Sequence, residues 1–420
     1  MPDNDLTRYI AVPDASYRWE RIASYRIGEG RLHDLRLFSQ TWQGTAWSHR
    51  LHLYLPDRCK AEDWALLTIG ADHKSVDGST PIDTDLSQRI GMSAAHLFDV
   101  PNQPLFDGRR EDELLAHSLS QALDTRDWTW PLLFPMVKSA VRALDSIAAV
   151  CMEEGRTGLG RFVVHGASKR GWTTWLTAVV DPRVRAIVPE VYDNLNLFAQ
   201  MPHQVKVWEA YSEMIEDYTE HRLQDKMRTP RGHEIALTID PYSYRVHLSL
   251  PKLLIQSLND RYWATDALNL YWDDLSGNKH IVYAPNQPHY IVDRDRIAPT
   301  QAAFLQAIIN DACLPDIAIE YDETRAALEV RLRCSVPALE ARVWTAASAG
   351  QDFRDSKWTW TYLSAAPDRR TFSGSLHRPA VGYTAVMSDC LIPNEYNPYL
   401  LSTPVRIISS MQEDGREDGQ

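Results

Sequence analysis

The sequence predicts an α/β protein whose core is a mostly parallel, doubly wound sheet. Three apolar runs, at residues 64–70, 162–164 and 184–188, are typical of strands that are covered on both faces. Between them, residues 131–151 carry apolar side chains at helical spacing, and a second helix is predicted over residues 172–179. Strands that alternate with helices in this way form parallel sheets with helices on both faces.

Other segments extend this core at both ends. Residues 36–42 and 49–55 alternate polar and apolar side chains, which predicts antiparallel, half-buried strands before the parallel part. Residues 252–255 and 280–283 predict two further strands. A helix is predicted to begin near Thr300, a residue suited to the N-cap, and to end near residue 312.

The predicted domain boundaries lie where this alternation of strands and helices changes. An α/β domain is predicted over residues 17–313, interrupted at about 197–250 by a polar, aromatic insertion that is either a helical lid or a helical pair packed on the sheet edge. Short alternating segments then predict a small β-sandwich-like domain over residues 314–410. Residues 411–420 lack apolar side chains and are predicted to be a disordered tail.

Composition and charge exclude several classes of protein. The 420 residues carry a net charge of −12 with scattered lysines and arginines, so no nucleic-acid partner is expected. The apolar runs fall short of the roughly 18 residues that a membrane-spanning helix needs. The first residues are acidic and resemble no signal peptide, so we expect a cytoplasmic protein, or an exported one if a leader was removed. The five widely spaced cysteines are expected to be buried thiols, with one disulfide among them as the alternative.

The stretch from residue 162 to residue 172 has the pattern of a nucleophile elbow, which is a strand, a tight turn that holds one serine, and a helix. Ser168 is the predicted nucleophile, and the small residues Gly166 and Ala167 permit the turn. The amide of Lys169 would then face the oxyanion of a tetrahedral intermediate. Arg170 occupies the place where the usual pattern has its second glycine, so an ordinary strand–turn–helix junction remains the alternative.

A serine nucleophile needs a base and an acid, and both follow later in the chain in the expected order. Asp260 comes after the strand at residues 252–255, and His289 comes after the strand at residues 280–283. Both follow carboxyl ends of strands, where open α/β sheets bind ligands. The alternatives are that Asp260 caps a helix and that His289 is a turn residue. Asp266 is a rival acid that we interpret as the N-cap of the next helix.

The second oxyanion donor is expected after the strand at residues 64–70, from the amide of Ala71 or of Gly70. No cofactor is predicted, because the glycine-rich nucleotide-binding motifs are absent after the predicted strands. No metal is predicted either, because the histidines lack the spacing of metal ligands relative to carboxylates or cysteines.

Over residues 17–360 the chain closely resembles the PhoPQ-activated pathogenicity-related protein family of α/β-hydrolase-like proteins. The segments that carry the resemblance are residues 100–105, 110–112, 130–141, 166–175 and 285–289. The resemblance implies an α/β-hydrolase core with Ser168 as nucleophile, Asp260 as acid and His289 as base, and it implies no substrate. The chain departs from the family pattern at residues 261–263, at Ala71 and at residues 287–288.

Together these observations predict a serine hydrolase that cleaves an ester or thioester of a small-molecule or peptide acyl substrate. A peptidase or amidase with the same triad is the first alternative, because Glu209, Glu213 and Glu216 in the insertion offer a site for a cationic group. A solvated helix face would explain those charges equally well. The second alternative is a binding or signalling protein that keeps the hydrolase fold without turnover.

Overall fold

The structure is a computed structural model that describes residues 4–73, 81–156 and 158–410. The chain divides into two compact units, one formed by Met1–Tyr192 with Ile215–Lys252 and the other by Asp193–Met214 with Leu253–Gln420. The tail predicted at residues 411–420 lies outside the described residues.

The regular elements are numbered in chain order. The strands are β1 (Arg18–Arg26), β2 (Gly30–Trp42), β3 (Thr45–Pro56), β4 (Trp64–Ile69), β5 (Ser93–Leu97), β6 (Arg161–Ala167), β7 (Val184–Glu190), β8 (Lys252–Ser257), β9 (Lys279–Ala284), β10 (Ile317–Glu323), β11 (Ala327–Cys334), β12 (Glu340–Ser348), β13 (Thr359–Tyr362), β14 (Ser364–Ala365), β15 (Thr371–His377), β16 (Tyr383–Ile392), β17 (Tyr399–Ser402) and β18 (Arg406–Ser409). The α-helices are α1 (Asp5–Ala11), α2 (Thr84–Ile90), α3 (Glu111–Thr125), α4 (Leu133–Glu153), α5 (Lys169–Val180), α6 (Leu197–Trp208), α7 (Glu216–Glu220), α8 (Leu223–Lys226), α9 (Pro230–Ile239) and α10 (Arg294–Ile309).

The first unit is organised around a sheet with the strand order β1-β2-β3-β5-β4-β6-β7. The pairs β1–β2, β2–β3 and β3–β5 are antiparallel, and the pairs β5–β4, β4–β6 and β6–β7 are parallel. The predicted antiparallel strands and the parallel core that follows them are therefore confirmed, but residues 49–55 of β3 are buried at nearly every position, so the expectation that they are half-buried is wrong. In the parallel part, Ile69 of β4 is aligned with Gly166 of β6, and Ala167 is aligned with Glu190 of β7.

Helix α4 shows why this sheet is stable. Its apolar residues recur every three or four positions, and Met136, Val137, Ala140, Leu144 and Ile147 are all fully buried. Burying a large apolar side chain stabilises a fold by roughly 1.5–3 kcal/mol, so this one stripe contributes substantially to the core. The helix contacts both β2 and α5, and so supports the antiparallel part of the sheet and the helix that follows the predicted elbow.

The second unit contains most of β8, all of β9, helix α10 and two antiparallel sheets. The strand order is β10-β11-β15-β14 in one sheet and β13-β12-β16-β17 in the other, where β18 also pairs with β16. Helix α10 begins at Arg294, after an N-cap at Asp293, so the predicted start at Thr300 is wrong. Thr300 lies buried within the helix and its hydroxyl donates to the carbonyl of Leu400 at 2.9 Å.

All five cysteines are free thiols. Cys151, Cys334 and Cys390 are buried as expected, but Cys59 is half-buried and Cys313 is exposed, so the expectation is wrong for these two.

Among the described residues, no helix has both the length and the apolar character that crossing a membrane requires.

Candidate active site

Ser168 occupies the sharp turn between β6 and α5. Its backbone angles are φ 57° and ψ −126°, a combination that costs a residue other than glycine of order 1–3 kcal/mol. The turn is fixed on both sides, because the Ser168 amide donates to the carbonyl of Glu190 at 2.8 Å and the Ser168 carbonyl accepts from the amide of Trp172 at 3.0 Å. The predicted elbow is therefore a strained junction at the carboxyl end of a buried strand.

Close packing of the backbone explains the displaced glycine of the elbow. A Cβ atom on Gly166 would lie 2.5 Å from the carbonyl oxygen of Arg170. A Cβ atom on Gly171 would lie 3.1 Å from the carbonyl oxygens of Glu190 and Gly166. Both positions need glycine for close approach, so the second glycine of the usual motif is moved one residue along the helix.

Gly166→Ala is expected to destabilise the protein by about 3 kcal/mol, because the added methyl group would overlap the backbone of the first turn of α5. Gly350→Ala is the matched control, since a Cβ atom there meets no heavy atom within 4 Å. Urea denaturation of both variants measures the difference. Equal midpoints for the two variants would contradict the packing argument.

The two residues after the nucleophile are held by an ion-pair network that the sequence did not predict. The Arg170 guanidinium donates to both carboxylate oxygens of Glu111, at 2.8 and 2.7 Å, and to the carbonyl of Val100 at 2.6 Å. The Lys169 ammonium lies 2.8 Å from Glu111 and 3.3 Å from Asp112. Burial opposes ionisation of Glu111, but the hydrogen bonds and charges of Arg170 and Lys169 hold the pKa of its carboxyl well below the usual range. The network ties the start of α3 to the elbow.

The register of the sheet places Ala71 at the level of the elbow. Since Ile69 is aligned with Gly166, Ala71 and Ser168 are each two residues beyond the same pair, at the ends of adjacent parallel strands. The amide of Gly70 donates to the carbonyl of Leu97 at 2.7 Å, within the sheet. Of the two amides considered as the second oxyanion donor, Ala71 is therefore the better candidate.

In the second unit, the predicted acid and base lie together. His289 Nδ1 is 2.7 Å from Asp260 Oδ2, and the amide of Tyr262 donates to Asp260 Oδ1 at 2.8 Å. The Asp260 side chain is 5% exposed and that of His289 is 22% exposed. Because a carboxylate only accepts hydrogen bonds, Nδ1 carries the hydrogen, which leaves Nε2 as the basic nitrogen of the neutral ring. This is the orientation that a general base requires.

Two asparagines anchor the loops that carry this pair to residues 353–358. The Asn259 side chain donates to the carbonyl of Ser356 at 2.7 Å and to that of Arg354 at 3.2 Å. The Asn286 side chain donates to the Trp358 carbonyl at 3.0 Å and accepts from the Trp358 amide at 2.8 Å. The segment between β12 and β13 thus fixes both loops. This gives part of the C-terminal region a role in positioning the acid and the base.

Comparison with known proteins identifies the family. The family model described as PhoPQ-activated pathogenicity-related protein matches residues 6–354. This chain belongs to that family. The resemblance seen in the sequence is confirmed.

Among curated proteins, the chain is 30% identical over 377 residues to autocrine proliferation repressor protein A of Dictyostelium discoideum. The match covers 83% of this chain and 75% of that protein. An acetyl xylan esterase from Paenibacillus sp. R4 superposes with a TM-score of 0.51 at 14% identity, covering 74% of this chain and 95% of that one. Acetyl xylan esterase 1 from Thermoanaerobacterium sp. JW/SL YS485 gives 0.50 at 15% identity, with 72% and 92% covered. These similarities establish an α/β-hydrolase fold.

The two residues that follow Asp260 each have a partner of their own. The ring of Tyr262 packs against the imidazole of His289, with ring centroids 4.2 Å apart. Arg261 is held by Glu213, whose carboxylate it contacts at 2.6 Å, and Glu213 also accepts from Arg354 at 2.8 Å. The suggestion that Glu213 is available for a cationic ligand is therefore not supported, because two arginines already neutralise it.

The rival acid Asp266 has its own histidine partner. It precedes the short 3₁₀ helix Ala267–Leu270, but its side chain makes no capping hydrogen bond. It instead lies 2.7 Å from Nε2 of His203. Asp266 is the N-cap residue of that helix by position, as interpreted from the sequence, although without a side-chain cap, and the carboxylate that contacts His289 is that of Asp260.

Proposed function

We propose that this PhoPQ-related protein is a serine hydrolase that cleaves an acyl ester or thioester, with Ser168 as nucleophile, His289 as base and Asp260 as acid. The observation that carries the proposal is the 2.7 Å hydrogen bond between His289 Nδ1 and the buried Asp260. The strained backbone of Ser168 supports it, since such strain is concentrated at functional sites.

In the proposed mechanism, His289 Nε2 takes the proton of the Ser168 hydroxyl as its oxygen attacks the acyl carbon. The amides of Lys169 and Ala71 stabilise the oxyanion. His289 then gives the proton to the departing alcohol or thiol, and the acyl-enzyme forms. Water, deprotonated by the same histidine, releases the acid and restores the serine. Asp260 holds the ring and stabilises the imidazolium in both steps.

An ester is the first substrate class to test. The two solved structures compared above are named as acetyl xylan esterases, and we carry over from them only the class of bond. A preference for a cationic group, which would favour a peptidase, loses support because Glu213 is paired with Arg261 and Arg354.

A fluorophosphonate probe tests the proposal without a known substrate. We expect intact-mass analysis to find one probe per wild-type chain and none on Ser168→Ala or His289→Ala, because only an activated serine reacts. Ser375→Ala, a change at an exposed serine of β15, should label like the wild type. Labelling that persists in Ser168→Ala, or its absence from folded wild-type protein, would refute the assignment.

A second candidate function comes from the curated relative, whose name describes an autocrine repressor of proliferation. Under that reading the chain acts as a signalling protein that binds a partner without turnover. The Ser168→Ala variant separates the two candidates. The substitution would abolish the activity of a hydrolase, but it would leave signalling by a non-catalytic protein intact.

A further inference from the structure

One segment of the first unit is bonded to both of the loops that carry the proposed oxyanion donors. It consists of residues 98–103, which follow β5. On one side, the amide of Asp99 donates to the carbonyl of Ala71 at 2.9 Å. On the other side, the carbonyl of Val100 accepts from Nε of Arg170 at 2.6 Å. The segment therefore contacts both the loop after β4 and the first turn of α5.

The side chain of Gln103 extends this connection. Its nitrogen donates to Asp72 Oδ1 at 2.9 Å and to Glu111 Oε1 at 2.6 Å, and its oxygen accepts from the backbone amide of Glu111 at 2.8 Å. Both donors of this side-chain amide thus bond a carboxylate, and such bonds are stronger than those between neutral groups. Because Asp72 directly follows Ala71, Gln103 links the proposed second oxyanion loop to the start of α3.

Glu111 continues the connection to the elbow. Its two carboxylate oxygens accept from the Arg170 guanidinium, and one of them lies 2.8 Å from the Lys169 ammonium. The backbone of Glu111 has φ 48°, a left-handed conformation that is unfavourable for a glutamate. Such a conformation persists only where surrounding contacts enforce it. An unbroken series of side-chain contacts therefore runs from Asp72 through Gln103 and Glu111 to the two residues that follow the nucleophile.

We propose that Gln103 and Glu111 are positioning residues, which fix the distance between the two oxyanion donors, the amides of Ala71 and Lys169. The inference rests on the proposed function. Neither side chain contacts substrate in this scheme, because each acts through the backbone that it holds. Two amides stabilise an oxyanion only when both reach the same oxygen, so a shift of either loop weakens binding of the transition state more than binding of the substrate.

Gln103→Leu removes all three hydrogen bonds of this side chain at similar bulk. We expect kcat for para-nitrophenyl acetate to fall about tenfold, while KM stays within about twofold of the wild type. Glu111→Gln is the second variant, because it keeps the shape of the side chain and removes the charge that Arg170 and Lys169 share, and it should show the same pattern. A wild-type kcat in both variants overturns the proposal.

Gln88→Leu is the matched control. Gln88 is a half-buried glutamine of α2, and its side-chain nitrogen donates to the Tyr54 hydroxyl at 2.5 Å. It belongs to the same unit but takes no part in the series of contacts described above. We expect its kcat to stay within about twofold of the wild type. A fall as large as that in Gln103→Leu would show that any lost glutamine contact has this effect, and would overturn the proposal.

A partly inactive preparation would also lower kcat, so the variants are compared per reactive serine. We expect the fluorophosphonate probe to reach one label per chain in the wild type, in Gln103→Leu and in Glu111→Gln, although more slowly in the variants. Labelling that stops short in proportion to the lost kcat would mean fewer active chains, and the proposal would be overturned.

An alkyl trifluoromethyl ketone reports on the oxyanion itself. The oxygen of Ser168 adds to its carbonyl carbon, the serine proton passes to His289, and the carbonyl oxygen becomes an oxyanion without any leaving group. We expect the inhibition constant of this ketone to rise in each variant by the factor by which kcat/KM falls. An unchanged inhibition constant overturns the proposal, since the lost activity would then not concern the oxyanion.

The double variant Gln103→Leu/Glu111→Gln tests whether the two side chains act as one connection. We expect it to be no slower than the slower single variant, because breaking one series of contacts twice has no further effect. Multiplicative losses would contradict a shared role. Failure of the proposed function has a different result, since folded wild-type protein would then not react with the fluorophosphonate at all, and the positioning role would fail with it.

Discussion

His289→Ala is expected to lower kcat/KM for para-nitrophenyl acetate by at least about 10⁴-fold. The imidazole is the only group in the proposed mechanism that moves a proton between Ser168, the leaving group and water. Without it the serine hydroxyl is a weak nucleophile at neutral pH. The residual rate should rise with hydroxide concentration, because no side chain then supplies the base. Steady-state kinetics between about pH 6 and pH 9 measure both effects.

His203→Ala is the matched control for that experiment. His203 also contacts an aspartate, Asp266, at 2.7 Å, and its side chain is 14% exposed against 22% for His289. We expect this variant to retain turnover within about fivefold of the wild type. A loss in His203→Ala as large as that in His289→Ala would mean that the wrong histidine has been assigned.

The fold class was predictable because it follows from local patterns of apolar and polar residues. Runs of buried residues mark β4, β6 and β7, and alternation marks parts of β2 and β3, so the sequence predicts antiparallel strands followed by a parallel core. It does not predict β5, which lies between β3 and β4 in the sheet. The start of α10 was not predictable in the same way. Thr300 has the chemistry of an N-cap, but Asp293 lies earlier, and its side chain accepts from the amide of Arg296 to begin the helix.

The residues proposed for chemistry were predictable as a set, because each follows a strand in the order that a triad requires. The contacts that hold these residues in place were not predictable. Glu111 and Arg170 are 59 residues apart in sequence, and Asn259 and Ser356 are 97 apart, so no local periodicity connects them. In the sequence, residues 110–112 carry only a resemblance to the family and no sign of this contact. Contacts of this kind depend on tertiary packing, which cannot be deduced from a single sequence.

Asp260→Asn is expected to reduce kcat by about 10⁴-fold while leaving the fold intact. The amide is nearly isosteric, but it offers the ring a donor as well as an acceptor, so the imidazole no longer has to keep its hydrogen on Nδ1. Loss of the charge also removes the stabilisation of the imidazolium. The Tyr262 amide, which donates to Asp260 Oδ1 at 2.8 Å, can still donate to the carbonyl oxygen of an asparagine. Steady-state kinetics at about pH 8, beside circular dichroism, measure the loss.

Asp266→Asn separates catalysis from general electrostatics, since it removes the same charge from a neighbouring aspartate that pairs with His203 instead. We expect its turnover to stay within about fivefold of the wild type. The double variant Asp260→Asn/His289→Ala should be no slower than His289→Ala alone, because the acid acts only through the imidazole and triad losses are not additive. Multiplicative losses in the double variant would show that Asp260 has a second task independent of His289, and the proposed mechanism would then need another role for that carboxylate.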